Sequence, residues 1–245
     1  MAHSAIPLTH GKHDMLDQVS QLNGRTFSDD PVIAYMLLDM SREERHAYLP
    51  TYWSVFVKSA LLNDAVITEA DGWKSAAVVL PPGKKVDNTW TLFSSGFGGV
   101  LWKMGFSGLK VRKGAMGESF KRLFSNFLGM TDNAKKIGLR GQQRYYYIFT
   151  IGTETEHRGK GLARAIIQDY MRKAQFENLP IWLEATTPNS RKLYLSLGFE
   201  DVEKIVLGKG KVDDQAQLQC EGSGVPLWAM IWWPSQSTAE ASSSA

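Results

Sequence analysis

An α/β (α+β) domain, a mixed sheet flanked by helices, is the fold class that three stretches of this sequence predict. Residues 145–186 read as strand, Gly-rich turn, helix and second strand, a βαβ-like unit. Ala65 to Ala70 and Trp73 to Leu80 read as a hairpin turned at Asp71-Gly72. Val202 to Leu207 and Val225 to Trp232 read as a closing pair of strands. With 245 residues and no linker-like stretch, one domain over residues 1–234 is the simplest organisation. Residues 84–144 then form a helical insert, and the Ser/Ala-rich tail, 235–245, is expected to be disordered.

Charged residues make up 22% of the chain and hydrophobic ones 43%, ordinary values for a soluble globular protein. No run approaches the roughly 18 apolar residues of a membrane span. The start, MAHSAIPLTHGKHD, lacks the apolar centre of a secretory signal, and the single cysteine, Cys220, leaves no internal disulfide. A cytoplasmic location is therefore expected. The net charge of +3 is too small to argue for nucleic acid, but it is uneven, with 12 Lys/Arg against 3 Asp/Glu between Lys84 and Arg144. The five histidines form no metal pattern, His10 and His13 lying in a stretch expected to be mobile, so no metal is expected.

Taken in order, Leu16 to Leu22 begins an amphipathic helix. Phe27-Ser28-Asp29-Asp30-Pro31 interrupts it with capping residues and a proline suited to open the next helix. Ser41 with Glu44 is a capping box for a helix running to about Leu62. That helix carries Tyr48, Tyr52, Trp53 and Phe56, an aromatic stripe that reads as core before it reads as a substrate pocket. The hairpin follows, and Pro81-Pro82-Gly83 ends it. Within the insert, VLWKMGFSGLKVRKGAMGESFKRLFSNFLGM has helical spacing broken by repeated glycines, and Gly208 to Gly224 is a polar loop between the closing strands.

The most informative stretch is Tyr145 to Ala174. Tyr145 to Ile151 is dense in aromatic and β-branched residues, as in a buried strand. After Gly152 and a short polar turn comes Arg158-Gly159-Lys160-Gly161-Leu162-Ala163. From Leu162 the apolar residues fall at 162, 166, 170 and at 167, 171, 174, one face of a helix. A Gly-rich turn at a helix start leaves several backbone N–H groups converging on one spot, with the positive end of the helix dipole behind them. Such a spot suits a phosphate. Gly159 and Gly161 leave the backbone uncovered, and Ala163 keeps the first helical turn slim. The spacing is neither G-x-x-x-x-G-K-[ST] nor G-x-G-x-x-G, so the nucleotide readings of those motifs do not apply.

This turn resembles the R-x-x-G-x-[GA] signature of the GNAT superfamily of acyl-CoA-dependent N-acetyltransferases, with Arg158, Gly161 and Ala163 at its fixed points. The family's preceding strand commonly ends I-x-V-x-P-x-x-R. Here Ile151 and Arg158 match, while Thr153 stands for the Val and Thr155 for the Pro. Downstream, Ile181 to Thr186 reads as a strand, followed by TPNSRKLYLSLGFE. That is similar to the family's N-x-x-A-x-x-L-Y-x-x-x-G-F block, with Leu193, Tyr194, Gly198 and Phe199 in place. Aligned on Tyr194, the family's Asn falls on Thr187 and its Ala on Ser190, with Asn189 close by. The joint at Phe27 to Pro31 is also similar to one that follows the first helix in family members. The resemblance implies a strongly twisted, mostly antiparallel central sheet, splayed open next to Gly152.

It also implies a chemistry. Acetyl-CoA would be the cosubstrate, its pyrophosphate held at Arg158, Gly159, Lys160, Gly161, Leu162 and Ala163, with Thr187 and Asn189 also on the cofactor side. Its pantetheine would pair with the strand edge at Ile151, Gly152 and Thr153 as if it were another strand. Which of Arg158, Lys160 and Arg164 meets which phosphate stays open. A backbone N–H at the splay would bond the thioester oxygen. Tyr194, placed mid-helix between Thr187 as N-cap and Gly198 past the end, would lie beside the sulfur as general acid; without the resemblance it reads as a core tyrosine. Glu184 is the candidate to deprotonate the amine, directly or through water, and reads equally as a satisfied strand-end carboxylate. The expected reaction is direct acetyl transfer to the amine of a small molecule. A protein or histone lysine acetyltransferase and a non-catalytic acyl-CoA-binding protein are the alternatives, and Tyr194 favours an enzyme. Acetyl-CoA and a small amine are the expected partners, without nucleic acid or membrane, for a monomer or homodimer. The basic 84–144 segment reads either as a solvated helix face or as a cleft edge favouring acceptors with a carboxylate or phosphate.

Overall fold

The β-branched and aromatic runs of the sequence become seven strands of one sheet among the residues that the computed structural model describes, 5–85, 91, 94–106 and 127–235. The strands are β1 (Leu8–Gly11), β2 (Val66–Ala70), β3 (Ser75–Leu80), β4 (Tyr146–Thr153), β5 (Ile181–Ala185), β6 (Glu200–Leu207) and β7 (Val225–Trp232). Their order across the sheet is β1-β2-β3-β4-β5-β7-β6; β4 and β5 pair in parallel, and the other neighbours pair antiparallel. The helices are α1 (Leu16–Thr26), α2 (Pro31–Met36), α3 (Arg42–Leu62), α4 (Phe97–Phe106), α5 (Gly129–Leu139), α6 (Leu162–Glu177) and α7 (Pro188–Leu195). The mixed, mostly antiparallel sheet is thus the expected architecture.

Two apolar clusters, one on each face, explain why β3 is buried along its whole length. Ala76, Val78 and Leu80 pack with residues of α1, α2 and α3, while Ala77 and Val79 pack with Leu162, Ile166, Ile167 and Tyr170 of α6. In β4 a bulge at Phe149 shifts this alternation, since Val79 pairs with Ile148 and Val78 with Thr150. Tyr147 and Phe149 face the first cluster, and beyond the bulge Thr150 faces it too, accepting a hydrogen bond from Asn23 Nδ2 of α1 at 3.2 Å.

Several boundaries differ from expectation for identifiable reasons. The stretch that carries His10 is ordered rather than mobile: Leu8–Gly11 forms edge strand β1 on β2, and His10 Nδ1 lies 2.8 Å from Thr68 Oγ1, itself 2.8 Å from Tyr170 Oη. The hairpin turn has Asp71 and Gly72 at positive φ, 57° and 70°, as the Asp-Gly signal predicts. Trp73 joins them at 66°, its N–H held by Glu69 Oε2 at 2.8 Å, so the turn spans four residues. The closing strands do pair, but β7 inserts between β5 and β6, and the 208–224 loop is cross-linked by its own backbone through Gly210 N–H to Gly222 O and Gly224 N–H to Val212 O, both 2.8 Å. Of the 84–144 insert, the described part includes α4 and α5; its residues 86–90, 92–93 and 107–126, and 236–245 of the 235–245 tail expected to be disordered, lie outside the described residues.

The sheet opens between β4 and β5. Only Tyr146↔Ile181 and Tyr147↔Trp182 pair, after which β4 continues on β3 and β5 on β7. The expected splay next to Gly152 therefore begins earlier, at Tyr147, and leaves the edge of β4 from Ile148 to Thr153 unpaired with β5. Gly152 is required there by packing: a Cβ would strike Thr26 Oγ1 and lie 3.0 Å from Thr26 Cβ. Gly152→Ala should accordingly lower stability to urea by about 1–3 kcal/mol. In a double-mutant cycle Thr26→Ala should recover part of that loss, and strict additivity of the two changes would contradict the contact.

Candidate active site

The parting strands open onto a cleft of about 1080 Å³, lined from one face of the sheet by residues 157–159 and 161–164 and by α7, and from the other by α1, α2, α3 and α5. Ile151, Gly152, Thr153, Arg158, Gly159, Gly161, Leu162, Ala163, Glu184, Thr187, Asn189 and Tyr194 all line it. Lys160 is the one predicted site residue outside the lining; its Nζ lies 3.1 Å from His157 Nδ1.

Gly159 and Gly161 sit at φ 77° and 81°, the left-handed conformation that favours glycine. A Cβ at Gly159 would meet no described atom within 4 Å, and at Gly161 only Ile6 Cδ1 at 4.0 Å, so backbone conformation rather than crowding dictates these residues. Gly161 is the N-cap of α6 and offers no side-chain cap, which leaves the first N–H groups of that helix directed at the cleft end of the turn. Arg158 Nε donates to Thr153 O at 3.2 Å, tying the turn to the end of β4, and Arg164 donates to Ser196 Oγ at 2.7 Å.

The short helix α7 is framed as its sequence predicts. Thr187 caps it, accepting from Ser190 N–H at 3.2 Å, Pro188 opens it, and Gly198 follows at φ 86°. It buries Tyr194 beside Leu197 and Phe199 while the ring still borders the cleft. Burial first, and the charge of Asp30 second, hold the Tyr194 phenol above its ordinary pKa.

Asp30 is the site residue that the sequence reading leaves unassigned. It caps α2, with Oδ1 accepting from Val32 N–H at 2.9 Å and Ile33 N–H at 3.1 Å, and Oδ2 accepting from Thr186 Oγ1 at 2.5 Å. Burial pushes its carboxyl up to about 6, against these hydrogen bonds, that of Thr186 foremost. Burial foremost, then Tyr48 and the charge of Asp30, raise the Tyr52 phenol as well, so Asp30 stands within electrostatic reach of Tyr52 on α3 and Tyr194 on α7. The Phe27 to Pro31 joint identifies the cap, but only the fold brings Thr186 to it.

Glu184 also lines the cleft, with both oxygens engaged: Oε2 accepts from Tyr147 Oη at 2.8 Å and Oε1 from Trp182 Nε1 at 2.7 Å. Lys135 Nζ is 3.9 Å from Oε1 and 4.7 Å above the Tyr147 ring. The aromatic stripe of α3 proves to be core and cleft wall at once. Trp53 packs on Phe27 at 5.0 Å and on Phe149 at 6.3 Å between ring centroids, Tyr52 on Phe56 at 4.7 Å, and all five border the cleft. Among the described residues no group of three or more His, Cys, Asp and Glu could hold a metal ion, and no helix is long and apolar enough to cross a membrane. Cys220 is exposed.

Residues 109–212 match the model of the acetyltransferase (GNAT) domain family. The chain is 27% identical, over 88% of its length and 79% of the relative's, to an uncharacterized N-acetyltransferase of Schizosaccharomyces pombe. Its fold is similar to that of a Corynebacterium glutamicum protein named histone acetyltransferase HPA2 and related acetyltransferase, with a TM-score of 0.58 at 15% identity over 96% of this chain and 99% of that one. It is similar also to arylalkylamine N-acetyltransferase 2 of Aedes aegypti, with a TM-score of 0.56 at 18% identity over 95% of this chain and 100% of that one. The signature at Arg158 to Ala163 and the Leu193 to Phe199 block both lie inside the matched residues 109–212, so the motifs and the domain match point to one acetyltransferase (GNAT) region of this chain.

Proposed function

We propose that this enzyme moves the acetyl group of acetyl-CoA directly to the amine of a small molecule, with Asp30 taking the amine's proton and Tyr194 giving one to the departing thiolate. The observation that carries the reading is that the open edge of β4, the 158–163 turn, Asp30 and Tyr194 all border one cleft. The residues present fit the cosubstrate. The edge of β4 that β5 leaves uncovered, at Ile151 to Thr153, suits the amides of pantetheine as an added strand, and the converging N–H groups of the turn suit a pyrophosphate.

The amine nitrogen attacks the thioester carbonyl carbon, the C–S bond breaks, and the sulfur leaves as thiolate. Asp30 receives the proton lost by nitrogen, and Tyr194 supplies the proton that sulfur needs; the two side chains then return to their starting states through solvent. Burial foremost keeps the proton on Tyr194, and the charge of Asp30 adds to that hold while Asp30 is ionised. Once Asp30 is protonated its part of the hold is gone, at the stage when the thiolate requires the proton. Glu184 accepts hydrogen bonds on both oxygens, as Asp30 does, so the choice of Asp30 as base rests on the burial that raises its carboxyl to about 6.

The aromatic wall supports an acceptor with an apolar or aromatic body, and the fold shared with an arylalkylamine N-acetyltransferase agrees with that class. Lys85, Lys135 and Lys136 border the cleft too, but with Asp132 and Glu184 among them, so the acceptor class is drawn from the aromatic body rather than from charge.

Replacing Gly161 with Asp puts a side chain and a negative charge at the turn. Calorimetry should show CoA binding lost while the fold persists; unchanged binding would remove the phosphate from this turn.

Asp30 and Tyr194 are tested together. Tyr194→Phe should lower turnover by about 10²- to 10⁴-fold with the CoA dissociation constant nearly unchanged. Asp30→Asn, which keeps the cap, should remove an ascending limb of kcat/KM centred near pH 6. It should also alter stability. A carboxyl raised from 3.8 to about 6 on folding contributes stability present in full below pH 3.8 and lost as pH rises through about 6. Asp30→Asn should therefore gain on wild type as pH increases, by on the order of 3 kcal/mol at pH 7. A limb retained in Asp30→Asn would rule Asp30 out as the base.

A further inference from the structure

Thr186 is the first residue beyond β5, and Asp30 reaches the cleft from the start of α2, so their 2.5 Å hydrogen bond ties the acceptor side of the cleft to the strand on the far side of the parting. Three donors converge on the carboxylate: the N–H groups of Val32 and Ile33 on Oδ1, and the Thr186 hydroxyl on Oδ2. A carboxylate has about four acceptor sites, so roughly one is left, and Asp30 borders the cleft. The next residue, Thr187, caps the helix that carries Tyr194. Two successive threonines thus fix the base and the acid relative to one another. The ionisable side chains that register the charge of Asp30 are Tyr52 of α3 and Tyr194 of α7, both buried phenols that stay protonated while Asp30 titrates.

We propose that Thr186 is the positioning residue of Asp30, its hydroxyl aiming the remaining acceptor site of the carboxylate at the incoming amine and holding the carboxylate ready to take the proton. The proposal rests on the reading of Asp30 as proton acceptor. Thr186→Val keeps the shape of the side chain and removes the donor, whereas Thr186→Ser keeps the donor.

The test is a carbon-13 NMR titration of protein labelled at the aspartate carboxyl carbon, with Asp30→Asn identifying the resonance. The wild-type resonance is expected to titrate near pH 6. Thr186→Val should move the midpoint up by about one pH unit, because a hydrogen bond to the ionised form is lost; Thr186→Ser should leave it nearly in place. With 2-phenylethylamine as probe acceptor, the ascending limb of kcat/KM should move in parallel while CoA binding stays unchanged. A Thr186→Val protein that binds CoA but titrates as wild type overturns the role of Thr186 and leaves Asp30 as base. A wild-type Asp30 that titrates in the ordinary carboxylate range overturns the reading of Asp30 and the proposal with it.

Discussion

The parting of β4 from β5 after two paired residues is the constraint on which the rest of this structure depends. A strand edge inside a protein carries N–H and C=O groups that are costly to bury without partners, so an open edge in the middle of a sheet has to be built and held. Here the last pair before the opening is Tyr147↔Trp182, and both side chains donate to Glu184. The carboxylate thereby pins the closed end of the fork. Past it, the bulge at Phe149 turns Thr150 toward α1, and Gly152 lets that helix settle on the strand.

What the opening brings together comes from distant parts of the chain. Asp30 arrives from the first helical joint, Tyr194 from the short helix after β5, and the phosphate-suited turn from the start of α6. A buried carboxylate held near 6 weakens the fold at neutral pH, and a cleft that needs a proton acceptor there gives a reason to keep it. Aromatic side chains of α3 do two jobs without conflict: Tyr52, Trp53 and Phe56 are buried in the core and also border the cleft.

Local signals were legible where their physics is local. Asp71-Gly72 takes the positive φ values that its turn requires, Thr187-Pro188 begins a helix that ends short of Gly198, and the run from Tyr145 to Ala174 is strand, turn and helix as read. Features set by pairing at long range were not. Leu8–Gly11 has too little pattern to announce a strand and is one because His10 meets Thr68 and the backbone meets β2. The insertion of β7 between β5 and β6 leaves no trace in either strand's composition. Asp30 was visible as a helix cap, but its bond to Thr186, 156 positions away, was not, and neither were the bonds that Tyr147 and Trp182 donate to Glu184.

The central claim is that the open β4 edge and the turn at α6 form one acetyl-CoA site, and amide hydrogen exchange with and without acetyl-CoA tests it most directly. The account predicts new protection at Ile151 to Thr153 and at Gly159 to Ala163, with the β2/β3 hairpin little changed. Protection confined to other segments, or none at these two while acetyl-CoA is bound, would contradict it.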